Sequence, residues 1–405
     1  MPARLCANPF PDPTATGYTS GSMQLITTTD ALAAFCDRLG EADFVTVDTE
    51  FMRERTYWPQ LCLVQLGGPD EAAAIDSLAP ELDLGPLFAV LDNPSVLKVF
   101  HAARQDLEIF FNLAGRLPNP IFDTQVAAMV CGFGDQVAYD TLAARMAKAR
   151  IDKSSRFTDW SRRPLSEKQL HYALADVTHL RVVYEKLRDR LEKTHRSAWI
   201  GEEMAILRDP ATFQVEPEQA WRRLKPRNPH PRTLAVLREL AAWREREAQR
   251  VNVPRQRILR DEQILEIAAH APKSVAELAH TRGLGKGFVE GKQGQAVLDV
   301  VERALAIPES ELPPRERQAE ALQVPGAVVD LLKVLLRLRC DATGVATRLV
   351  ASSDDLDRLA AGKRDVDCLH GWRAEIFGGD ALRLIAGELA LVLKGDKLQL
   401  IEVAS

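Results

Sequence analysis

Apolar positions along this chain recur with two different periods, and the change from one to the other divides it. Between residues 44 and 123 the spacing predicts strands at 44–49, 60–66, 72–76, 96–101 and 121–123, short runs rich in aliphatic and β-branched residues. The first three lie close together, as a meander would. Helical spacing then takes over. Ser166 and Gln169, just past Arg163-Pro164, have the form of a capping box that opens a helix. Leu170, Ala173, Leu174, Val177, Leu180, Leu187 and Leu191 mark the core face of that helix. Residues 206–216 have the character of a linker, and from 217 to about 380 the chain is almost entirely helical in pattern. Residues 389–393 and 397–403 return to alternation around Gly395-Asp396, the signature of a two-residue hairpin. Residues 1–22 carry Pro, Gly, Ser and Thr with little apolar periodicity and are expected to be a disordered extension. Pattern alone therefore gives an α/β part followed by a helical part.

Composition narrows the class. A chain of 405 residues suggests two or three domains, and 46% hydrophobic with 27% charged residues is ordinary for a globular protein. No apolar run approaches the ~18 residues of a membrane-spanning helix. The first residues lack the basic-then-apolar form of a signal peptide. Six cysteines without a C-x-x-C pair point to neither zinc nor a disulfide framework, and to reduced thiols in the cytoplasm. The net charge of −5 conceals an asymmetry: residues 216–260 hold twelve Lys or Arg against five Glu. Such a stretch is either a phosphate-binding surface or a solvated helix laced with Glu–Arg pairs, which Arg244-Glu245-Arg246-Glu247 resembles.

Five residues carry the candidate chemistry. Asp48 and Glu50 end the first predicted strand, where alternation puts them on one side. Asp106 is expected in the first turn of a helix after the strand at 96–101. Tyr172 and Asp176 stand at i and i+4 on the helix that Ser166 opens, away from its apolar stripe. Carboxylates that repel one another are tolerated where hard divalent cations neutralise them. His101, His171 and His179 lie nearby but lack His-x3-His spacing, and hard cations prefer oxygen, so they are expected in the core or behind the ligands. Gly283-Leu284-Gly285-Lys286-Gly287 lacks the spacing of a phosphate-binding loop and is expected to join helices.

Those residues and their flanks resemble a known family. Asp48-Thr49-Glu50-Phe51, His101-Ala102 with Asp106-Leu107-Glu108, and Tyr172 through Asp176 are similar to exonuclease motifs I, II and III of the DEDD superfamily in its tyrosine variant, and in detail to bacterial ribonuclease D. Cys62-Leu63-Val64-Gln65-Leu66, Phe122-Asp123-Thr124-Gln125 and Asp159-Trp160-Ser161-Arg162-Arg163-Pro164-Leu165-Ser166 fit as well, and Met23 opens a segment resembling the usual family start. Leu240 to Arg246 with Pro254-Arg255, and Leu349 to Leu356 with Gly371-Trp372-Arg373, resemble the helicase-and-ribonuclease-D C-terminal (HRDC) module. The resemblance implies a ribonuclease H-like exonuclease domain with a mixed sheet at 23–205, two all-α HRDC-like domains at 212–295 and 308–385, and a C-terminal hairpin at 386–405.

It also implies an activity: 3′–5′ hydrolysis of RNA with a free 3′ end, such as precursor tRNA, releasing nucleoside 5′-monophosphates. Asp48, Glu50, Asp106 and Asp176 would hold two ions of Mg²⁺ or Mn²⁺. Tyr172, a phenol with an ordinary pKa of about 10, would position water rather than act as a base at neutral pH. Arg222, Arg223, Lys225, Arg227, Arg244, Arg255 and Arg257 would meet the RNA. Two alternatives stay open at this point: a 3′–5′ DNA exonuclease, and a catalytically idle RNA-binding scaffold.

Overall fold

The computed structural model describes residues 23–227, 229–314 and 324–403. The expected N-terminal extension lies outside them. Six strands form one sheet in the order β1-β4-β3-β2-β5-β6: β1 (Met23–Ile26), β2 (Phe44–Met52), β3 (Gln60–Gly67), β4 (Ala72–Ile75), β5 (Leu97–Phe100) and β6 (Ile121–Asp123). β1 with β4, β2 with β5 and β5 with β6 pair in parallel, and β3 with β4 antiparallel, so the sheet is mixed. Every residue of β3 from Leu61 to Gly67 is buried, as a strand covered on both faces must be. β1 was not anticipated, because four residues are too few to show a period; β4 supplies its pairing.

Seven helices belong with this sheet: α1 (Thr29–Leu39), α2 (Gly85–Asp92), α3 (Arg104–Ala114), α4 (Thr124–Val130), α5 (Tyr139–Met146), α6 (Glu167–Lys193) and α7 (Ser197–Arg208). The box at the start of α6 forms as expected: the Gln169 amide donates to Ser166 Oγ at 3.2 Å, and the Ser166 amide donates to Gln169 Oε1 at 3.1 Å. Leu180, Val183, Leu187 and Leu191 of α6 join Phe44, Val99, Ala127, Leu142 and Ile200 in one apolar core.

The chain divides into two compact units, and they do not follow chain order. One contains 23–50, 61–210 and 324–403; the other contains 51–60 and 211–314. In the first unit the last helical region folds against the sheet domain's own helices. Trp199 of α7 stacks on Trp372 with centroids 4.7 Å apart and planes 9° from parallel. Arg373 pairs with Glu202 at 3.2 Å and with Glu203. Arg196 Nη2 donates to the Thr343 carbonyl at 2.7 Å, and the Ala346 amide donates to the Met129 carbonyl at 2.9 Å. Gly132, at φ +83°, leaves room that a Cβ would take from the Gly344 carbonyl, only 2.7 Å away. The C-terminal hairpin forms where alternation placed it, as β7 (Leu389–Lys394) and β8 (Lys397–Glu402), with Gly395 at φ +65° in the turn.

The second unit is built on α8 (Pro231–Arg250). Its Leu234, Leu237 and Leu240 pack with Ile264, Ile267, Val297 and Val301 from the helices that follow. The 51–60 segment is fastened inside this unit: the Tyr57 hydroxyl donates to Glu245 Oε1 at 2.5 Å, and the Asn252 carboxamide accepts from the amides of Tyr57 and Trp58 at 3.1 and 3.0 Å. Among the described residues no helix is long and apolar enough to cross a membrane.

Candidate active site

β2 carries Thr46, Asp48 and Glu50 at alternate positions, so the three share a side of the strand. α6 is drawn close to that side. The Thr46 hydroxyl donates to the Val177 carbonyl at 2.8 Å, and Gly67 of the neighbouring strand has no side chain to interfere: a Cβ there would lie 2.4 Å from Thr46 Oγ1 and 3.2 Å from the Val177 carbonyl. This close approach of helix and sheet brings the i and i+4 pair of α6 to the strand. A carboxylate oxygen from each of Asp48, Glu50 and Asp176 lies within 4.8 Å of the others. The Tyr139 hydroxyl, donating to the Asp176 carbonyl at 2.7 Å, holds that turn of α6 from the other side.

Asp106 arrives by a different route. The turn from β5 into α3 places Ala102 at φ +59°, a conformation that L side chains rarely adopt. Asp123, at the end of β6, compensates: its carboxylate accepts from the amides of Ala102 at 3.0 Å, Ala103 at 2.8 Å and Gln125 at 2.7 Å. Asp106 follows in the first turn of α3 and is 6% exposed. The Thr49 hydroxyl donates to its carboxylate. Asp106 stands outside the group of three, yet its charge is felt by Glu50, as that of Asp48 is by Asp106.

The electrostatics follow from burial and like charge. Asp48 is pushed well above the usual carboxylate range, first by burial and then by Asp176. Glu50 is pushed up to about 10 by burial and by Asp48, Asp176 and Asp106, against a smaller opposing pull from Arg156. Burial raises Asp176 to about 7, held back by the hydrogen bond from Tyr172 and by Arg156. Burial and the three nearby acids raise the Tyr172 phenol, so it keeps its proton at neutral pH. Groups this close cannot all be ionised without positive charge among them. An all-oxygen donor set of this kind fits a hard divalent cation.

Comparison with known proteins agrees with this geometry. Residues 23–192 match a family described as 3′–5′ exonuclease, and residues 233–301 match the HRDC domain. The ribonuclease D of Acidiphilium cryptum is 57% identical over 94% of this chain and 97% of its own, and that of Granulibacter bethesdensis is 54% identical over 97% of each. The chain belongs to the ribonuclease D family. The crystal structure of Escherichia coli RNase D, an exoribonuclease involved in structured RNA processing, superposes with a TM-score of 0.78 at 32% identity, over 90% of this chain and 99% of that one. Membership makes this protein a hydrolytic 3′–5′ exoribonuclease and disfavours the DNA-exonuclease and idle-scaffold alternatives.

Several residues that shape the site carried no assigned role in the sequence. Asp123 had a signal, an acid between an apolar strand and a helix start, but its partners 21 and 20 residues earlier had none. Thr49, Tyr139 and Gly67 act across gaps that no local pattern spans. Arg163 is another: its guanidinium grips Asp76 at 2.6 and 2.7 Å and the Cys62 carbonyl at 2.7 Å, fixing the segment that leads into α6. His101 Nδ1 lies 3.0 Å from Thr124 Oγ1, and its ring packs 5.4 Å from that of Tyr139.

The basic stretch needs a correction. Arg244, expected to meet RNA, is 3% exposed; it donates to the Leu259 carbonyl at 2.8 Å and pairs with Asp261 at 2.7 Å. It lies on the packed side of α8, a position that charge counting cannot distinguish from a surface one. Arg255 is partly covered and pairs with the buried Glu245 at 3.4 Å. Arg246 pairs with Glu218, and Arg250 with Glu247 at 2.7 Å. Arg222, Arg223, Lys225, Arg227 and Arg257 are exposed.

Proposed function

We propose that Asp48, Glu50, Asp106 and Asp176 hold two divalent cations, Mg²⁺ or Mn²⁺, and that with Tyr172 they remove nucleotides one at a time from the 3′ ends of RNA in the cytoplasm, precursor tRNA among them. The observation that carries this reading is the meeting of three carboxylate oxygens within 4.8 Å beside a protonated tyrosine. When bound, such cations activate water and neutralise the charge that develops on the scissile phosphate. The chain's own part is positioning. The four carboxylates fix where positive charge sits. Tyr172, still protonated, cannot serve as the base; its hydroxyl orients the attacking water, with Asp176 as its own hydrogen-bond partner. The water oxygen bonds to phosphorus and releases a proton to solvent, the bond to the 3′ oxygen of the preceding nucleotide breaks, that oxygen takes up a proton from solvent, and a nucleoside 5′-monophosphate leaves. The exposed cations Arg222, Arg223, Lys225, Arg227 and Arg257 then serve the body of the RNA, where neutralised phosphates release counterions.

The test uses 5′-labelled RNA and DNA of one sequence, with free or blocked 3′ ends, and Mg²⁺, Mn²⁺ or chelator. The expected result is a stepwise ladder and 5′-monophosphates from free-ended RNA alone, dependent on cation. Internal cleavage, or equal cutting of blocked ends, would overturn the reading. A tRNA with a 3′ extension, trimmed to its mature end, tests the substrate class.

A further inference from the structure

One side chain in the segment between α5 and α6 has no part in the chemistry above. Phe157 is 90% exposed, the most among the large hydrophobic residues described. A phenyl ring left in water forgoes the stabilisation that burial gives, and the backbone that holds it there is not loose. Ser155 and Trp160 on either side are 3% and 2% exposed. Asp152 accepts from the Ser154 amide at 3.0 Å, and the Thr158 hydroxyl donates to the Ser155 carbonyl at 2.8 Å. Gln169 Nε2, in the first turn of α6, donates to that same hydroxyl at 3.2 Å. The Trp160 ring lies 6.2 Å from that of Tyr172. The segment is therefore tied to the turn of helix that carries Tyr172. The Arg156 guanidinium lies over the Phe157 ring at 5.2 Å, and its charge reaches Glu50, Tyr172 and Asp176.

We infer that Phe157, backed by Arg156, is the platform on which the base of the 3′-terminal nucleotide stacks. This rests on the exoribonuclease reading. A site of carboxylates and a phenol grips phosphate and water but has nothing to hold a base. An enzyme that removes each nucleotide in turn needs a hold that accepts every base, and an aromatic face gives one because every base has a π-face. A guanidinium on the opposite side of the ring fixes its orientation and adds positive charge near the backbone that must enter.

The test is steady-state hydrolysis by the full chain of short oligoribonucleotides ending in a normal nucleotide or in an abasic one. Phe157→Ala is expected to raise KM about tenfold on the normal end, the loss of one stacked base, with kcat changed less than about twofold. Phe157→Trp, which restores an aromatic face, is expected to keep KM near that of the parent. On the abasic end the parent and Phe157→Ala should share one KM, since no base remains to stack. The inference is overturned if Phe157→Ala leaves KM unchanged on the normal end, or raises it equally on both ends. A parent chain that degrades RNA from the 3′ end while Phe157→Ala is indifferent sinks the platform alone. A parent that does not do so sinks the exoribonuclease reading and the platform with it.

Discussion

Asp48, Glu50 and Asp176 are gathered until their oxygens lie within 4.8 Å, while the arginines of α8 are distributed among partners: Arg244 with Asp261, Arg246 with Glu218, Arg250 with Glu247. In the sequence the acids are scattered single carboxylates, while the arginines stand in a stretch of excess positive charge. In the fold the acids are forced together by contacts that oppose their repulsion, whereas most of the basic excess on α8 is neutralised within its own unit. Concentrated like charge that a structure keeps in place at a cost points to something that offsets it on binding. Charge that finds partners is mostly architecture. The gathered acids lie in the first unit, and in the second Arg222, Arg223, Lys225 and Arg227 stay exposed.

The largest effect should come from the acids. Asp176→Asn keeps shape but removes a carboxylate charge, and turnover in saturating Mg²⁺ is expected to fall by about 10³-fold or more, a loss of several kcal/mol of transition-state stabilisation. Circular dichroism and RNA affinity should stay near those of the parent. Near-normal turnover would mean that the gathered acids have another purpose. Tyr172→Phe comes next, with kcat down about one hundredfold and little change in RNA binding, because only the orientation of water is lost. Full activity would reduce Tyr172 to a packing residue.

The basic side of the comparison separates two kinds of arginine. Replacing Arg223, Lys225 and Arg227 together by Ala should weaken binding to a tRNA-sized RNA and flatten its salt dependence, the log–log slope dropping by about two units as phosphate contacts are lost. Arg244→Met should leave that slope alone and lower stability by about 2 kcal/mol, since a buried carbonyl and Asp261 lose their donor. Equal slopes for all variants would show that the helical unit meets something other than RNA.

The smallest effect concerns the cation-free protein. Glu50 is raised to about 10 and Asp176 to about 7 in the fold, well above the range of free carboxylates. Between that ordinary range and the raised values, the folded chain holds protons that the unfolded chain has lost. Folding stability contributed by these groups is therefore present at acid pH and declines as pH rises through 7 and toward 10. In chelator, the melting temperature should drift down over this window more than that of Asp48→Asn, which relieves the repulsion. Added Mn²⁺ should cancel the drift. A flat profile for the parent in chelator would mean that the acids are farther apart in solution, or already neutralised by Arg156.

Local order was legible in the sequence because local forces set it. Alternation put Asp48 and Glu50 on one side of β2, the Ser166–Gln169 box opened α6 at the right residue, helical spacing joined Tyr172 to Asp176, and Gly395-Asp396 fixed the hairpin turn. Each of these depends on neighbours within a few positions. Tertiary structure decided the rest. Thr46 reaches Val177 across 131 residues and Thr49 reaches Asp106 across 57, and those contacts assemble the site. Gly67 matters only because a helix passes over it, and Asp123 only because a distant turn needs its oxygens. The same holds for the helical region at 324–403, which joins the sheet unit instead of the helical one, and for Arg244, whose side of α8 turned out to be the packed one. Periodicity specifies which faces of an element are apolar. Which partner covers each face depends on the packing of the folded chain, and a linear pattern does not carry that information.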